Sequence, residues 1–284
     1  MKNLIFLTFL FLSSQLYSQN KEFSAELNYH LNELDNEITA EILALNRVKL
    51  DLFFQVYNYI DSSNIFNDDF ALKKNEIKAL IPCIIKTETI EKSWQNLEYK
   101  IKLSSNVDNA ILQNRLDRSS RIKEELDRIV QLKDRSNDAN LEIETLKRAI
   151  QSEEFDEIKL QLLHMEYQKS INVLKEEELF QRGYLSFLNM KHDTSVSYFK
   201  KMVELNPENE FGFYNLALNY TALEDDDQAI KYFKKTLKID PKFAEANYKL
   251  GVLYLKSGDE YNAKRYLNRA SWSNHKKAKK LLRP

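Results

Sequence analysis

The feature that most constrains the fold is a pattern that repeats itself in the C-terminal part of the chain. The stretch YNLALNYTALEDDDQAIKYFKKTLKIDP, residues 214–241, superimposes on the stretch that follows it. Tyr220 aligns with Tyr254, and Ala229 aligns with Ala263. Self-similarity with a fixed period of about 34 residues is the signature of stacked supersecondary units. One such unit cannot bury its apolar face alone, so several units must stack to form a continuous core.

The composition indicates that these units are helical. The 284 residues include four glycines and four prolines, and they are 43% hydrophobic and 30% charged. A scarcity of turn-forming residues favours long helices with short connections. We therefore predict an all-α fold. The formal net charge of −1 gives no general preference for nucleic acid.

The repeated pattern combines two helices with Leu-Gly, Tyr, Ala and a closing Pro, and it resembles the tetratricopeptide repeat family. Three units are expected, over residues 176–209, 210–243 and 244–277. The third unit matches the family signature best, at Leu250, Gly251, Tyr254, Gly258, Ala263 and Ala270. The resemblance implies an α-solenoid whose small residues let paired helices approach closely. Residues 278–284 are predicted to form a basic C-terminal cap.

The N-terminal region, residues 19–138, is predicted to be a bundle of long helices or a long helical hairpin, with a two-stranded coiled coil as the alternative. Apolar residues at spacings of three and four predict one helix from Phe23 to Ile60, and further helical stripes over residues 87–101 and 107–129. Pro82 is expected to end a short helix. Residues 118–135 are interpreted as a solvated face.

Residues 139–175 are predicted to form a helical hairpin. Phe155 and Ile158 fall at the positions where the repeat has an aromatic and a small residue. A degenerate fourth repeat is therefore left open.

The first residues, MKNLIFLTFLFLSSQLYSQN, have the pattern of a secretory signal peptide. Lys2 precedes an apolar run that is too short for a stable membrane anchor, which needs about 20 residues. We predict a signal peptide over residues 1–18 and a periplasmic or secreted protein. An uncleaved anchor or a buried first helix is the alternative.

No residue pattern points to catalysis, a cofactor or a metal. The four histidines are scattered, at His30, His164, His192 and His275, and the sequence has neither HExxH nor a glycine-rich phosphate loop. The single cysteine, Cys83, lies in an apolar stretch and is interpreted as a small buried hydrophobe. We predict a non-enzymatic protein.

The family resemblance also implies a partner-binding groove, lined by the first helix of each unit. The predicted groove residues are Phe180, Tyr184, Phe187, Phe211, Tyr214, Asn215, Tyr248 and Lys249. Their aromatic rings are expected to form an exposed floor that binds a peptide or helix of another envelope or secreted protein. In the alternative, the N-terminal bundle or the capping helix fills the groove, and the protein is a structural or sensory module that self-associates through its N-terminal helices. The clamp that some relatives use for a peptide carboxylate is not expected, because Phe180, Tyr184 and Glu245 replace its Lys and Asn residues.

Two further contacts are predicted. Residues 244–284 carry ten Lys or Arg and three Asp or Glu, which suits an acidic partner or peripheral contact with anionic lipid. The N-terminal helices are expected to allow self-association. A nucleic-acid partner is not expected for an exported chain.

Overall fold

The computed structural model describes residues 20–31, 34–62, 72–120, 123–152 and 156–283. Within these residues the chain forms one small sheet and eleven helices. The predicted signal peptide and Phe155 lie outside the described residues. The elements are β1 (Asn20–His30), α1 (Glu37–Ser62), α2 (Lys74–Ile84), β2 (Glu88–Gln95), β3 (Glu98–Asp108), α3 (Asn109–Ser120), α4 (Lys123–Ser152), α5 (Glu157–Leu188), α6 (His192–Leu205), α7 (Glu210–Ala222), α8 (Asp226–Ile239), α9 (Ala244–Lys256), α10 (Glu260–Trp272) and α11 (Lys276–Leu281).

The fold is an α-solenoid preceded by a helical region, as predicted, but a three-stranded antiparallel sheet was missed. Its strand order is β1-β3-β2, with Asn20 opposite Asp108 and His30 opposite Glu98. The predictions of a helix from Phe23 and of a helical stripe over 87–101 are therefore wrong. Apolar residues four positions apart suggested a helix, but they fit a strand equally well. In a strand, residues i, i+2 and i+4 all lie on the same face.

Half-buried and buried side chains alternate along residues 98–103 of β3, as they do in a strand. Tyr99, Ile101 and Leu103 of β3 are buried in the core, and β3 contacts α1. The intervening Lys100 and Lys102 form ion pairs with carboxylates of the neighbouring strands. The β2–β3 turn places Asn96 and Leu97 at φ 48° and 50°, as in a two-residue type I′ turn.

The helices that follow also depart from the prediction at Pro82. Helix α2 continues past Pro82 to Ile84. The missing N–H of Pro82 deprives the carbonyl of Lys78, an exposed residue, of its helical donor. The described residues of the predicted hairpin over 139–175 lie in two long paired helices, α4 and α5, and Ile158 is exposed.

The repeat array consists of helix pairs. The C-terminal part of α5 pairs with α6, α7 with α8, and α9 with α10. Helices α7 and α9 begin at Glu210 and Ala244, the first residues of the second and third predicted units.

The turn between the two helices of each unit keeps the same backbone conformation. Its residue at positive φ recurs at the equivalent position of each unit, as Met190 (60°), Glu224 (61°) and Gly258 (77°). Close approach of the paired helices explains Gly251, because a Cβ there would lie 2.8 Å from Cγ of Leu267.

The N-terminal region and the repeats share one hydrophobic core. A single cluster of buried residues extends from Phe23 of β1, through Leu80 of α2 and Leu126 of α4, to Leu250 of α9. A second cluster lies along the α4–α5 hairpin. Helices α2 and α4 are thereby held against the repeats.

Candidate partner-binding groove

The predicted groove residues of the first two units form a continuous row of rings. Phe180 lies against Tyr184 and Phe211, with ring centroids 5.5 and 5.1 Å apart. Tyr214 continues the row, 6.1 Å from Phe211 and 4.7 Å from Phe243. The structure thus brings together the aromatic side chains that the repeat register predicted.

These rings are not exposed. Phe180 and Tyr214 have no accessible surface, and Tyr184 and Phe211 are 4% and 6% exposed. Asn215 is also buried, whereas Phe187, Tyr248 and Lys249 are half-buried. The prediction of an exposed aromatic floor is therefore wrong, because another part of the chain covers the rings.

The first turns of α4 cover the middle of the groove. Glu125 of α4 accepts a hydrogen bond from the hydroxyl of Tyr214. The neighbouring Glu124 accepts from the backbone N–H groups of Ala244 and Glu245, at 3.1 and 2.8 Å. Helix α9 has no capping side chain of its own at Phe243, so Glu124 supplies the carboxylate that the N-terminus of a helix favours.

Arg128, one turn further along α4, connects the start and the end of the second repeat unit. Its guanidinium lies over the ring of Phe243 at 3.7 Å from the centroid. It also forms ion pairs with Glu210 of the second unit and with Asp240, at 2.6 Å for the latter. Planar stacking and charge pairing together hold α4 in register with the array.

Helix α3 covers the end of the groove near the first unit. The hydroxyl of Tyr184 donates to Oγ of Ser119 at 3.0 Å. Arg118 donates to the carbonyl of Leu188 at 3.1 Å, and Arg115 donates to Oδ1 of Asn189 at 2.8 Å. The polar edges of this part of the groove are therefore paired within the chain.

A buried carboxylate at the start of the first unit is also paired with α4. Glu177 is 4% exposed. It accepts from Lys133 at 3.0 Å and from Gln181 at 2.9 Å, and it contacts the hydroxyl of Ser136. These bonds offset the cost of burying its charge.

The third unit is covered from the other side by the C-terminal helix. The ring of His275, just before α11, stacks on Tyr248 at 4.3 Å. Its Nε2 lies 2.7 Å from Oε2 of Glu245. The side-chain amide of Asn215 donates to the carbonyl of Phe211, and Lys249 lies 3.7 Å from Glu245. Asn215 and Lys249, the two clamp-like positions, thus have partners inside the chain.

The electrostatics of the covered groove are set by burial. The pKa of the Glu125 carboxyl is raised to about 7, mainly by burial; the hydrogen bond from Tyr214 acts against this rise and the nearby charge of Glu245 adds to it. Burial also raises the pKa of the Tyr214 phenol well above its usual value. The thiol of Cys83 is buried and its pKa is raised by the same cause, so it is not a reactive nucleophile.

The described residues offer little for other chemistry. No group of three His, Cys, Asp or Glu side chains among them is arranged to hold a metal ion. Over the same residues, no helix has the length and apolar character required to span a bilayer.

The residues that cover the groove were not predicted from the sequence. Glu124, Glu125 and Arg128 lie in the segment that was interpreted as a solvated face. Each is charged, and their partners are 82 to 121 positions further along the chain. Apolar Leu126 and Ile129, both buried, were the local sign that this segment packs against something.

The stacked helix pairs with a covered concave face define the C-terminal part of the chain as an α-solenoid of the protein–protein interaction class. A family model described as TPR repeat matches residues 217–258, and one described as Tetratricopeptide repeat matches residues 245–272. Residues 217–272 of the chain therefore carry tetratricopeptide repeats, as the sequence predicted.

Three solved structures are similar to parts of the chain. A crystal structure of MamA has 26% sequence identity, covers 48% of this chain and 81% of its own, and gives a TM-score of 0.35. A complex of the TPR2B domain of yeast Sti1 with pHsp70 has 22% identity, covers 38% and 90%, and gives 0.36. The CopN–Scc3 complex has 15% identity, covers 49% and 86%, and gives 0.37. No curated protein matches the chain significantly. The two family models and the regularly repeated helix pairs identify the repeats.

Proposed function

We propose that the protein is an exported scaffold that binds an acidic segment of another envelope or secreted protein through the outer face of its repeats. The concave face is committed to the chain's own α4, α3 and C-terminal helix. The proposed binding surface therefore lies on the second helices of the second and third units, α8 and α10, and on α11.

The observation that carries this proposal is the one-sided charge of these helices. Helix α8 has four lysines, α10 has three Lys or Arg, and α11 has four lysines. The carboxylates of α8 and α10, Asp226, Asp227 and Glu260, all lie in first turns, and α11 has none. The remainder of this outer face is therefore cationic and favours acidic partners.

Tyrosine stacks give the same face a repeated shape. Tyr220 stacks on Tyr232 at 5.4 Å, and Tyr254 stacks on Tyr266 at 5.7 Å at the equivalent positions of the next unit. Lys200 lies over Tyr220, and Lys234 lies over Tyr254 in the same relation. Two equivalent cation–tyrosine sites in successive units suit an extended acidic segment that spans both units.

A charge-matched pair of variants tests the proposal. The outer variant carries Lys264→Gln, Lys276→Gln, Lys277→Gln and Lys280→Gln. The control carries Lys21→Gln, Lys86→Gln, Lys100→Gln and Lys102→Gln on the N-terminal region. We expect a fluorescent Glu-rich peptide to bind the wild type and the control alike, more weakly as salt increases, and to lose at least tenfold in affinity for the outer variant. Equal affinity of both variants would contradict the proposal.

Peripheral contact with an anionic membrane is the second candidate. Tyr261 and Trp272 are each 79% exposed at the two ends of α10, and Trp272 lies four residues before the first lysine of α11. Exposed Trp and Tyr near basic residues are typical of membrane-interface contacts. Sedimentation with phosphatidylglycerol vesicles, compared with phosphatidylcholine vesicles, tests this candidate, and Trp272→Ala should weaken binding to the anionic vesicles.

Export and self-association remain predictions. Export is tested by the N-terminal mass of the protein purified from its native source, which should lack residues up to about Ser18. Self-association through the N-terminal helices is tested by light scattering on the purified chain.

A further inference from the structure

A pocket of about 330 Å³ lies between α1, α4, α5 and α6, beside the covered repeat groove. Its walls are largely apolar: Ile42, Leu45 and Phe53 from α1, Leu174 and Leu179 from α5, and Leu205 from α6. This volume is at the lower end of the range of about 300–1,000 Å³ that is usual for small-molecule sites. The pocket is therefore large enough for a small apolar ligand.

Two groups of charged residues line the same pocket, and they differ in how they are paired. Lys49 is buried and contacts Glu178, with Gln181 at 3.2 Å, while Lys133 donates to Glu177 at 3.0 Å. These two lysines are neutralised within the protein. Together with Glu178 and Glu177, they contribute no net charge to the pocket lining.

Lys175 of α5 and Lys201 of α6 complete the lining without an opposing carboxylate there. Lys175 is half-buried and Lys201 is exposed. Four lysines thus face two glutamates, Glu177 and Glu178. The pocket combines an apolar interior with an excess of positive charge on its α5 and α6 side.

One polar atom of the lining residues has no partner. Oδ1 of Asn46 is buried and accepts no hydrogen bond. The oxygen and nitrogen of an Asn side chain exchange places when the amide turns over. The turned amide would offer an N–H donor to an anionic head group.

From this combination we infer that the pocket binds a single-chain amphiphile with a carboxylate head group, with the alkyl chain against Leu45, Phe53 and Leu174 and the head group beside Lys175 and Lys201. A peptide segment fits less well. Its backbone N–H and C=O groups would need partners, and the Gln181, Glu177 and Glu178 side chains are already engaged. An alkyl chain brings no such groups into the pocket.

The test is a chain-length series of sodium octanoate, decanoate and dodecanoate, measured by calorimetry on the full chain below the micellar concentration. Each added methylene should tighten binding by about fourfold until the pocket is full. Decanol, which has the same chain as decanoate and no charge, should bind more weakly. Absence of saturable binding, or affinity that does not depend on chain length, would overturn the inference.

Variants locate the site. Lys175→Ala combined with Lys201→Ala should weaken decanoate at least fivefold and leave decanol unchanged. Lys169→Ala combined with Lys191→Ala is the matched control, because Lys169 lies on α5 and Lys191 directly precedes α6, both outside the pocket lining, and it should change neither. An equal loss with both pairs would contradict the assignment.

Leu205→Trp, at the end of α6, should fill the pocket and abolish binding of both ligands. Phe54→Trp is its control, since Phe54 lines a neighbouring surface cavity and not this pocket. The melting temperature of each variant shows whether it is folded. Binding that survives Leu205→Trp in a folded protein would overturn the inference, and so would loss of binding with Phe54→Trp.

Discussion

The hydroxyl of Tyr214, in the middle of the repeat groove, donates a hydrogen bond to the carboxylate of Glu125 on α4, 89 residues earlier in the chain. Both side chains are buried. A side chain from the chain's own N-terminal region therefore occupies the place that the repeat register predicted for a partner. The groove of this protein works as an internal packing surface that joins the repeats to the rest of the fold.

The buried carboxyl of Glu125 makes stability depend on pH. Its pKa rises from 4.5 to about 7 on folding, so the folded state holds a proton between these values that the unfolded state has lost. The contribution of Glu125 is therefore fully present below pH 4.5 and is lost as the pH rises to about 7. Glu125→Gln mimics the protonated form. We expect the variant to be more stable than the wild type at pH 8, by a few kcal/mol, and no more stable at pH 4.

Urea unfolding of both proteins from pH 4 to pH 8 measures this difference. Subtracting the two curves removes the contributions of carboxyls that titrate in the opposite sense, such as Glu76 and Glu178, whose pKa values are lowered on folding. A difference that is constant with pH would show that Glu125 is not buried against Tyr214.

Arg128→Ala removes a cation that two carboxylates share. The guanidinium is 15% exposed, and its loss leaves Glu210 and Asp240 without their common partner. Both carboxylates are about one-third exposed. Water therefore limits the expected destabilisation to about 2 kcal/mol, less than the roughly 3–5 kcal/mol of a fully buried pair.

Arg182→Ala is the matched control for Arg128→Ala. Its guanidinium is half exposed and pairs within its own helix with Glu178, so it should change the free energy of unfolding by less than about 1 kcal/mol. Similar effects of the two substitutions, measured by urea unfolding, would argue against a bridging role of Arg128.

The positive φ angles of Met190 and Glu224 predict two stabilising substitutions. A left-handed residue other than glycine costs roughly 1–2 kcal/mol, while the added freedom of glycine in the unfolded chain costs about 0.5–1 kcal/mol. Met190→Gly and Glu224→Gly should therefore each gain about 0.5 kcal/mol in the free energy of unfolding. In Gly258→Ala a Cβ meets nothing within 4 Å, so its expected loss reports the backbone angle alone. A loss of stability in both glycine variants would contradict the shared turn geometry.

Gly251→Ala should separate the helices of the third unit. Its Cβ would lie 2.8 Å from Cγ and 3.2 Å from the backbone nitrogen of Leu267, and the backbone contact cannot be relieved by a side-chain rotation. Overpacking of this kind typically costs about 1–3 kcal/mol. A thermal melt in which Gly251→Ala matches the wild type would mean that the two helices do not pack as closely as described.

The repeats could be predicted from the sequence because their determinants are local and recur. Gly251, Tyr254 and Ala263 are each visible within one unit, and the regular spacing is visible between units. The sheet could not be predicted with the same rule. Phe23 and Leu27 fit a helix and a strand equally, and only the pairing of β1 with the distant β3, which sets Phe23 opposite Ser105, selects the strand.

The covering of the groove also could not be predicted from a local sequence pattern. The segment KEELDR, residues 123–128, has the charge pairs of a solvated helix, and its contacts depend on where α2 and α3 place the start of α4. Tyr214 and Phe180 carry no sequence mark that separates an exposed binding ring from a buried one. That distinction is a property of the tertiary fold.

The free energy of unfolding of Tyr214→Ala tests the occupied groove most directly. Removing a fully buried aromatic ring leaves a cavity beneath α4, and such truncations typically cost about 3–5 kcal/mol. Tyr261→Ala, at a ring that is 79% exposed, should change the stability by no more than about 0.5 kcal/mol. A Tyr214→Ala protein that is as stable as the Tyr261→Ala protein would show that the groove is open and would contradict the account.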